Sequence, residues 1–438
     1  MDKVGNSLNR RILQLALPAL GSLIAEPLLT MADSILVGHL GTFELAGLAI
    51  GSTVLNLIVG MSVFLAYTTT AVIGHAIGAG KSQEGLRKGI QGIWLGAALG
   101  TILALILIVF ASPIVSVFKG QEEVLGFART YLLVSAPGLV AMLSVLAANG
   151  VFRALLDTRT PLIVTTSGAL INVPISTILI FPCGLGIAGA GAGTAISQFI
   201  MAGWLGMVIV KKLHLEGVSA RPSIKLILRS GLHGMPLVFR SLFLQAAIVV
   251  TTWQAAAFGA VTLAGYQILK TIWTLGAFGL DALAIAAQSL LARALGEGDP
   301  LQIRILIRKL NGWALGLGGI IGGLFILTSP LLPQLFTSDS RVLAITTAGL
   351  VTVGLFQPLA ALTYIYDGYL IGADDSKYLA LSMAIVFTLY LPSILLVSLL
   401  PAGVISLVGI WAIYGLIFIG GRALSLWLRI RTDVWMRV

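Results

Sequence analysis

Glu26 and Asp33 stand seven residues apart in one long apolar stretch. That spacing is two helical turns, so both carboxylates fall on one face of a helix. An ionisable group in hydrocarbon costs about 3 kcal/mol or more, which makes each retained acid a functional candidate. Pro18 and Pro27 interrupt the same stretch, and each removes a backbone donor and permits a kink. A carboxylate beside a bendable helix suits ion coupling, because taking up a proton cancels its charge, changes its hydrogen bonds and can tip the bend. The alternative is a structural carboxylate capped by neighbouring hydroxyls or, for Glu26, an acid nearer an interface.

Other charges and polar groups lie in apolar runs further along. Asp281 and Arg240 are placed to pair across facing helices, as a structural ion pair or a functional one. Asp367 is flanked by Tyr364, Tyr366 and Tyr369 and reads as a second cation site or an acid snorkelling from a helix end. Lys270 is a substrate-facing residue or a satisfied helix charge. Asn172 and Ser176 share a helix face, and Asn149 and Thr194 sit within neighbouring runs. Such groups more often join helices than bind ligands.

The elements that must carry these residues are membrane helices. Of the 438 residues, 58% are apolar and only 10% charged, with a mean hydropathy of +1.01. A soluble chain carries about 25% charge, so a cytosolic enzyme, a disordered tail and a secreted disulfide scaffold are excluded. Cys183 stands alone, which removes intrachain disulfides and thiolate metal sites. No cleavable signal segment is expected. Twelve runs are long enough to cross about 30 Å of hydrocarbon: 11–38, 44–76, 89–111, 125–150, 161–182, 187–210, 226–256, 261–292, 308–328, 341–371, 379–400 and 403–428. Of the 27 Lys and Arg residues, 21 fall in the connections and termini of one side and 3 on the other. Both termini are therefore expected in the cytoplasm. The net charge of +10 is matched by anionic headgroups and calls for no nucleic acid.

The chain also repeats itself at an offset of 218. Leu17-Pro18 falls on Met235-Pro236, Leu45-Ala46-Gly47 on Leu263-Ala264-Gly265, Gly78 and Gly80 on Gly296 and Gly298, Gly150 on Gly368, and Asp157 on Asp375. The expected organisation is an N-lobe over 1–212, a cytoplasmic linker over 213–225 and a C-lobe over 226–438. Two parallel six-helix lobes suit an alternating-access carrier. Gly92, Gly96 and Gly100 share one helix face, as do Gly312 and Gly316, and both sets are expected to admit close helix packing. His75 to Ser82 reads HAIGAGKS, but His75 replaces the first glycine of a phosphate loop and no strand precedes it. The four histidines give no metal spacing, and no nucleophile–base pattern points to an enzyme.

Several segments resemble the multidrug and toxic compound extrusion (MATE) family, and its DinF branch in particular. They are EPLLTMADSILVGHLGTFELAGL at 26–48, NGVFRALLDTRTPLIV at 149–164, GLGIAGAGAGTAISQ at 184–198, FRSL at 239–242, LDALAIAAQSLLARALG at 280–296 and YDGYLIGADDS at 366–376. The resemblance spans essentially the whole chain. It implies an all-α fold of twelve transmembrane helices in two lobes around a V-shaped cleft, and exchange of H⁺ or Na⁺ for an organic compound. It carries the coupling role to Asp33, with Tyr131, Asn149, Asn172 and Thr194 as hydrogen-bonding partners. Many relatives carry a second aspartate one turn after the asparagine, where this chain has Ser176. A single acid suits a proton better than Na⁺, although oxygens could still complete a Na⁺ shell and Glu26 could supply the missing charge.

The expectation is thus a monomeric antiporter of the plasma (inner) membrane, without cofactor or resident metal. It exports amphipathic, cationic organic compounds for H⁺, or less favourably Na⁺, through Asp33, with Pro18 and Pro27 as hinges. Membrane lipids are its other partners. Trp253, Trp273 and Phe278 are candidate walls for the cleft. A lipid-linked precursor flippase and a non-transporting scaffold are the rival readings. The first would need a more basic interior, and the second leaves the buried acids unexplained.

Overall fold

A computed structural model describes residues 2–118 and 121–436, with side chains from residue 8 onward. Lys3, Lys119 and Arg437, which enter the charge asymmetry, lie outside the described side chains. The elements in chain order are α1 Asp2–Gly38, α2 Thr42–Ser62, α3 Phe64–Gly78, α4 Ser82–Ser116, α5 Glu122–Ser135, α6 Gly138–Ala154, α7 Arg159–Ile180 and α8 Ile187–Leu215. Then come α9 Ile224–Ala257, α10 Ala260–Glu297, α11 Pro300–Thr328, α12 Ser340–Leu355, α13 Gln357–Gly372, α14 Ser376–Leu395, α15 Val404–Ile413 and α16 Gly420–Arg431. Among the described residues ten spans are long and apolar enough to cross a membrane; α5–α6 and α12–α13 make twelve if each bent pair counts as one. The bends are 58° and 49°, and Pro137 and Pro358 stand at them, where a missing N–H breaks the ladder. Large apolar side chains remain exposed on outward faces, as at Ile102, Leu105, Ile106 and Val109 of α4. That stripe is a surface for lipid, in which only a closed backbone ladder is tolerated.

The chain divides into two compact units, Met1–Met235 and Pro236–Val438. The division falls inside α9 at Pro236, so the stretch expected as a linker, 213–225, lies within the first unit. Three side chains of α4 hold it there. Gln83 Nε2 donates to the Glu216 carbonyl at 3.0 Å, and Trp94 Nε1 donates to that of Ala220 at 2.9 Å. Gln91 donates to the Arg221 carbonyl at 3.0 Å and accepts from the Ser223 N–H at 2.8 Å.

The 218-residue offset reappears as geometry. Gly80 and Gly298 both close helices at φ 74°, and Leu156 and Asp374 both adopt left-handed conformations at φ 59° and 60°. At Gly150 an added Cβ would lie 2.5 Å from the Ala66 carbonyl, and at Gly368 2.7 Å from that of Ala284. Only glycine lets the paired helices approach so closely. Gly96 and Gly100 work similarly, since a Cβ on either would meet the backbone of α6, the Leu143 or Leu139 carbonyl, at 2.6 Å. Gly312 and Gly316 do not fulfil the matching expectation, for nothing lies within 4 Å of a Cβ there. The close face of α11 instead carries Gly318, packed on Gln357 and Pro358, and Gly322, packed on the Gly354 carbonyl. Sequence spacing gave the right helix and the wrong face.

Candidate functional site

Asp33 is 3% exposed, deep in the first unit. α1 brings it to α7 and α8, whose backbones close on each other where Gly193 meets Ser176 and Gly189 meets Ile180. Thr194 Oγ1 donates to Asp33 Oδ2 at 2.9 Å. With the amide of Asn172 oriented by its neighbours, its nitrogen donates to Asp33 Oδ1 at 3.0 Å and its oxygen faces the Thr194 N–H at 3.3 Å. Asn172 and Ser176 are fully buried. Ser176 lies close enough to act on Asp33, yet its hydroxyl completes no well-formed hydrogen bond. Tyr131, 4% exposed, stands within electrostatic reach of Asp33 and Thr194, its ring laid against Gly51. These partners are all uncharged.

One expected member makes no hydrogen bond through its oxygen, and another stands apart. Asn149 keeps a buried oxygen without a hydrogen-bond partner. Glu26 is exposed, and seven residues of helix separate it from Asp33 by about 10 Å, so it does not supply a second charge to this cluster. The shared face holds by angle, but burial separates the two acids. From Glu26 to Ala32 no residue of α1 is fully buried, and Pro27 lies in that stretch.

The second unit gathers a different constellation. Arg240 Nη2 donates to Asp367 Oδ2 at 2.8 Å, and Arg422 Nη2 donates to the same oxygen. Asp367 is 7% exposed, so it is an ion-paired interior group, not a snorkelling acid. Sequence reading offered Arg240 a partner in Asp281; its bond to Asp367 was not foreseen, and Arg422 was not singled out at all. A helix-borne arginine in an apolar run was the available signal. Asp281 acts electrostatically on Tyr364, and Lys270 is half-buried. Arg422 also lies 5.5 Å over the Phe418 ring. Beside it, a π-helical stretch, Tyr414–Ile419, turns Tyr414 and Phe418 into an aromatic group with Trp273, Trp411 and Tyr390, at centroid separations of 5.2–6.2 Å. Of the wall candidates, Trp273 belongs to this group, Trp253 is exposed and Phe278 is half-buried. π-helical turns recur at functional sites.

Among the described residues Asp33 is a buried acid held by neutral donors, in a helical bundle built twice over, an arrangement that suits a membrane carrier. The MatE family model matches the chain twice, over residues 18–178 and 236–396, again an offset of 218. The chain belongs to this family of multidrug and toxic compound extrusion transporters and is a multi-pass membrane transporter, not an enzyme. It is 33% identical to Protein DETOXIFICATION 44, chloroplastic, of Arabidopsis thaliana, over 91% of this chain and 78% of that one. It is 27% identical to DNA damage-inducible protein F of Escherichia coli, covering 86% of this chain and 84% of that protein. It is also 27% identical to a probable multidrug resistance protein NorM of Thermotoga maritima, covering 84% and 81%. The fold matches the Vibrio cholerae MATE transporter VcmN in the bent form, with a TM-score of 0.88 over 98% and 99% of the two chains at 23% identity.

Proposed function

We propose that the protein is a secondary antiporter that exports amphipathic organic cations in exchange for H⁺, with Asp33 as the coupling carboxylate. The supporting observation is the contrast between the two buried aspartates. Asp367 is neutralised by arginines, whereas Asp33 is held by a hydroxyl and an amide. A buried charge without a counter-charge is costly, so a proton has much to gain at Asp33 and little at Asp367.

Thr194 makes that proton exchangeable. A hydroxyl donates or accepts, so a proton on Oδ2 turns the Thr194 hydroxyl round without moving its oxygen. Asn172 continues to donate to the carbonyl oxygen, Oδ1. Both bonds then change from charge-assisted to neutral and lose roughly half their strength. The grip of α7 and α8 on the C-terminal part of α1 loosens, and α1 bends at its prolines. Coupling follows if the two conformations bind the proton with different affinity. In the second unit the aromatic rings around Trp411 offer faces that attract organic cations.

The same reading places an N-lobe over 1–212 and a C-lobe over 226–438, both termini in the cytoplasm and a monomer in the plasma membrane. Tyr131, Asn149 and Ser176 complete the polar surroundings of Asp33. The unpartnered oxygens of Asn149 and Ser176 favour Na⁺ as the second candidate for the coupling ion.

The test is uptake of a fluorescent lipophilic cation into proteoliposomes under a pH gradient or a Na⁺ gradient alone, with wild type and Asp33→Asn. Uptake driven by the pH gradient and abolished by the substitution is expected. A strict need for Na⁺ would overturn proton coupling. Uptake by Asp33→Asn that still follows the pH gradient would remove Asp33 from the mechanism.

A further inference from the structure

Several surface cations have an acid beside them. Lys88 pairs with Glu84 at 2.7 Å, Arg293 with Glu297 at 3.5 Å, Arg304 with Asp433 at 3.0 Å and Arg429 with Asp375 at 2.7 Å. The run from Lys211 to Arg229 differs. Among the described residues, Lys211, Lys212, Arg221, Lys225 and Arg229 make no ion pair. Between Asp157 and Asp281 the chain has a single acid, Glu216, so the run carries a charge that its own residues do not balance.

The first turns of α9 order three of these cations. Ile224, Leu228 and Leu232, spaced by four, are 77%, 62% and 75% exposed. Lys225 and Arg229 are exposed one position further on, so a basic stripe runs beside an apolar one. The opposite face is occupied, with Gly231 against Leu95 of α4 and Gly234 against Phe64 of α3. All of these residues belong to the first unit. Arg221 precedes the helix on a held backbone, because Gln91 grips its carbonyl and the Ser223 N–H.

Depth is a separate observation. The 34 residues of α9 make about 51 Å of helix, against about 30 Å of hydrocarbon and about 40–45 Å with both headgroup layers. The ends of α9 therefore reach the headgroups. Trp94, 41% exposed, donates to the Ala220 carbonyl beside this end, and tryptophan gathers at that level.

We propose that this face of α9 is a binding site for one anionic phospholipid. Lys225 and Arg229, with Arg221 before them, hold the phosphodiester, and an acyl chain lies along Ile224, Leu228 and Leu232. Lys225 and Arg229 stand one turn apart, about 6 Å along the axis. A compact ammonium and a planar guanidinium fork thus meet one phosphate from two levels. Their long stems cover the neighbouring apolar stripe while the charged heads stay at the headgroups. The lipid supplies the counter-charge that this run of chain lacks, and it joins the stretch gripped by α4 to the leaflet. The site holds whichever ion or compound the carrier exchanges, since it rests on membrane embedding alone.

The test is native mass spectrometry of the full chain with equimolar phosphatidylglycerol and phosphatidylcholine. Wild type should retain phosphatidylglycerol preferentially, a comparison that needs no variant. A basic residue at a membrane surface is worth about fivefold in affinity, so Lys225→Gln with Arg229→Gln should cut the preference by about 25-fold. Lys88→Gln with Arg293→Gln removes the same charge from cations that already have acids, and should leave the preference nearly intact. In nanodiscs, hydrogen exchange over residues 214–228 should be slower with phosphatidylglycerol than with phosphatidylcholine in wild type. The two lipids should give equal exchange in the Lys225→Gln, Arg229→Gln protein. No preference in wild type, or equal losses in the two double variants, would overturn the site, the latter by showing a general effect of net charge. Displacement of the lipid by inorganic phosphate at equal concentration would overturn a lipid as its occupant.

Discussion

The same substitution at the two buried aspartates should give opposite results. Asp367→Asn leaves the Arg422 guanidinium, only 5% exposed, facing a neutral amide. Removing one partner from a buried ion pair costs about 3–5 kcal/mol. For a unit of some 200 residues, Pro236–Val438, each kcal/mol moves the melting temperature by about 2–4 °C, so a fall of about 6–20 °C is expected. Asp33→Asn strands no charge. It loses two charge-assisted hydrogen bonds, worth about 1.5–3 kcal/mol each, and regains the several kcal/mol spent on burying a carboxylate. The two offset, and the melting temperature should stay within about 4 °C of wild type. Transport should show the reverse order, with gradient-driven uptake lost in Asp33→Asn. The assay is thermal unfolding of the purified protein in one detergent, followed by monomer peak height in size-exclusion chromatography. An Asp367→Asn protein as stable as wild type would refute the view that its carboxylate serves the two arginines. A large fall in Asp33→Asn would show that the Asp33 charge is structural.

Two further outcomes follow from packing and from the tie between α4 and residues 216–223. Gly96→Ala should destabilise by about 1–3 kcal/mol through overpacking, since its Cβ meets the Leu143 carbonyl at 2.6 Å; Gly312→Ala, in open space, should be neutral or stabilising by up to about 1 kcal/mol. The two melting temperatures should move apart, and a shared direction would contradict the packing described for α4 and α11. Gln91→Leu removes both bonds to Arg221 and Ser223, so residues 216–223 should become more open to limited proteolysis with the fold intact. An unchanged digestion pattern would show that Gln83 and Trp94 hold the stretch without it.

The sequence by itself determined the spans, the repeat and two polar partners of Asp33, Asn172 and Thr194. Hydropathy over about 20 residues and an offset that carries glycines onto glycines are local or linear properties. They survive into the structure as matched helix ends at Gly80 and Gly298 and matched close approaches at Gly150 and Gly368. Asn172 and Thr194 were legible because a family motif places them, and their geometry agrees. Tertiary structure decided which buried acid is neutralised, which α11 glycines face a neighbour and which loop side chain reaches α1. Arg422 reaches Asp367 across 55 residues of chain, and Thr158 reaches Leu15 across 143. Those meetings depend on how helices rotate and cross, which hydropathy does not encode. A turn of 100° per residue takes a side chain from the interior to lipid within two positions. Sequence therefore named the residues able to do chemistry, while helix packing separated Asp33, held by neutral donors, from Asp367, held by arginines.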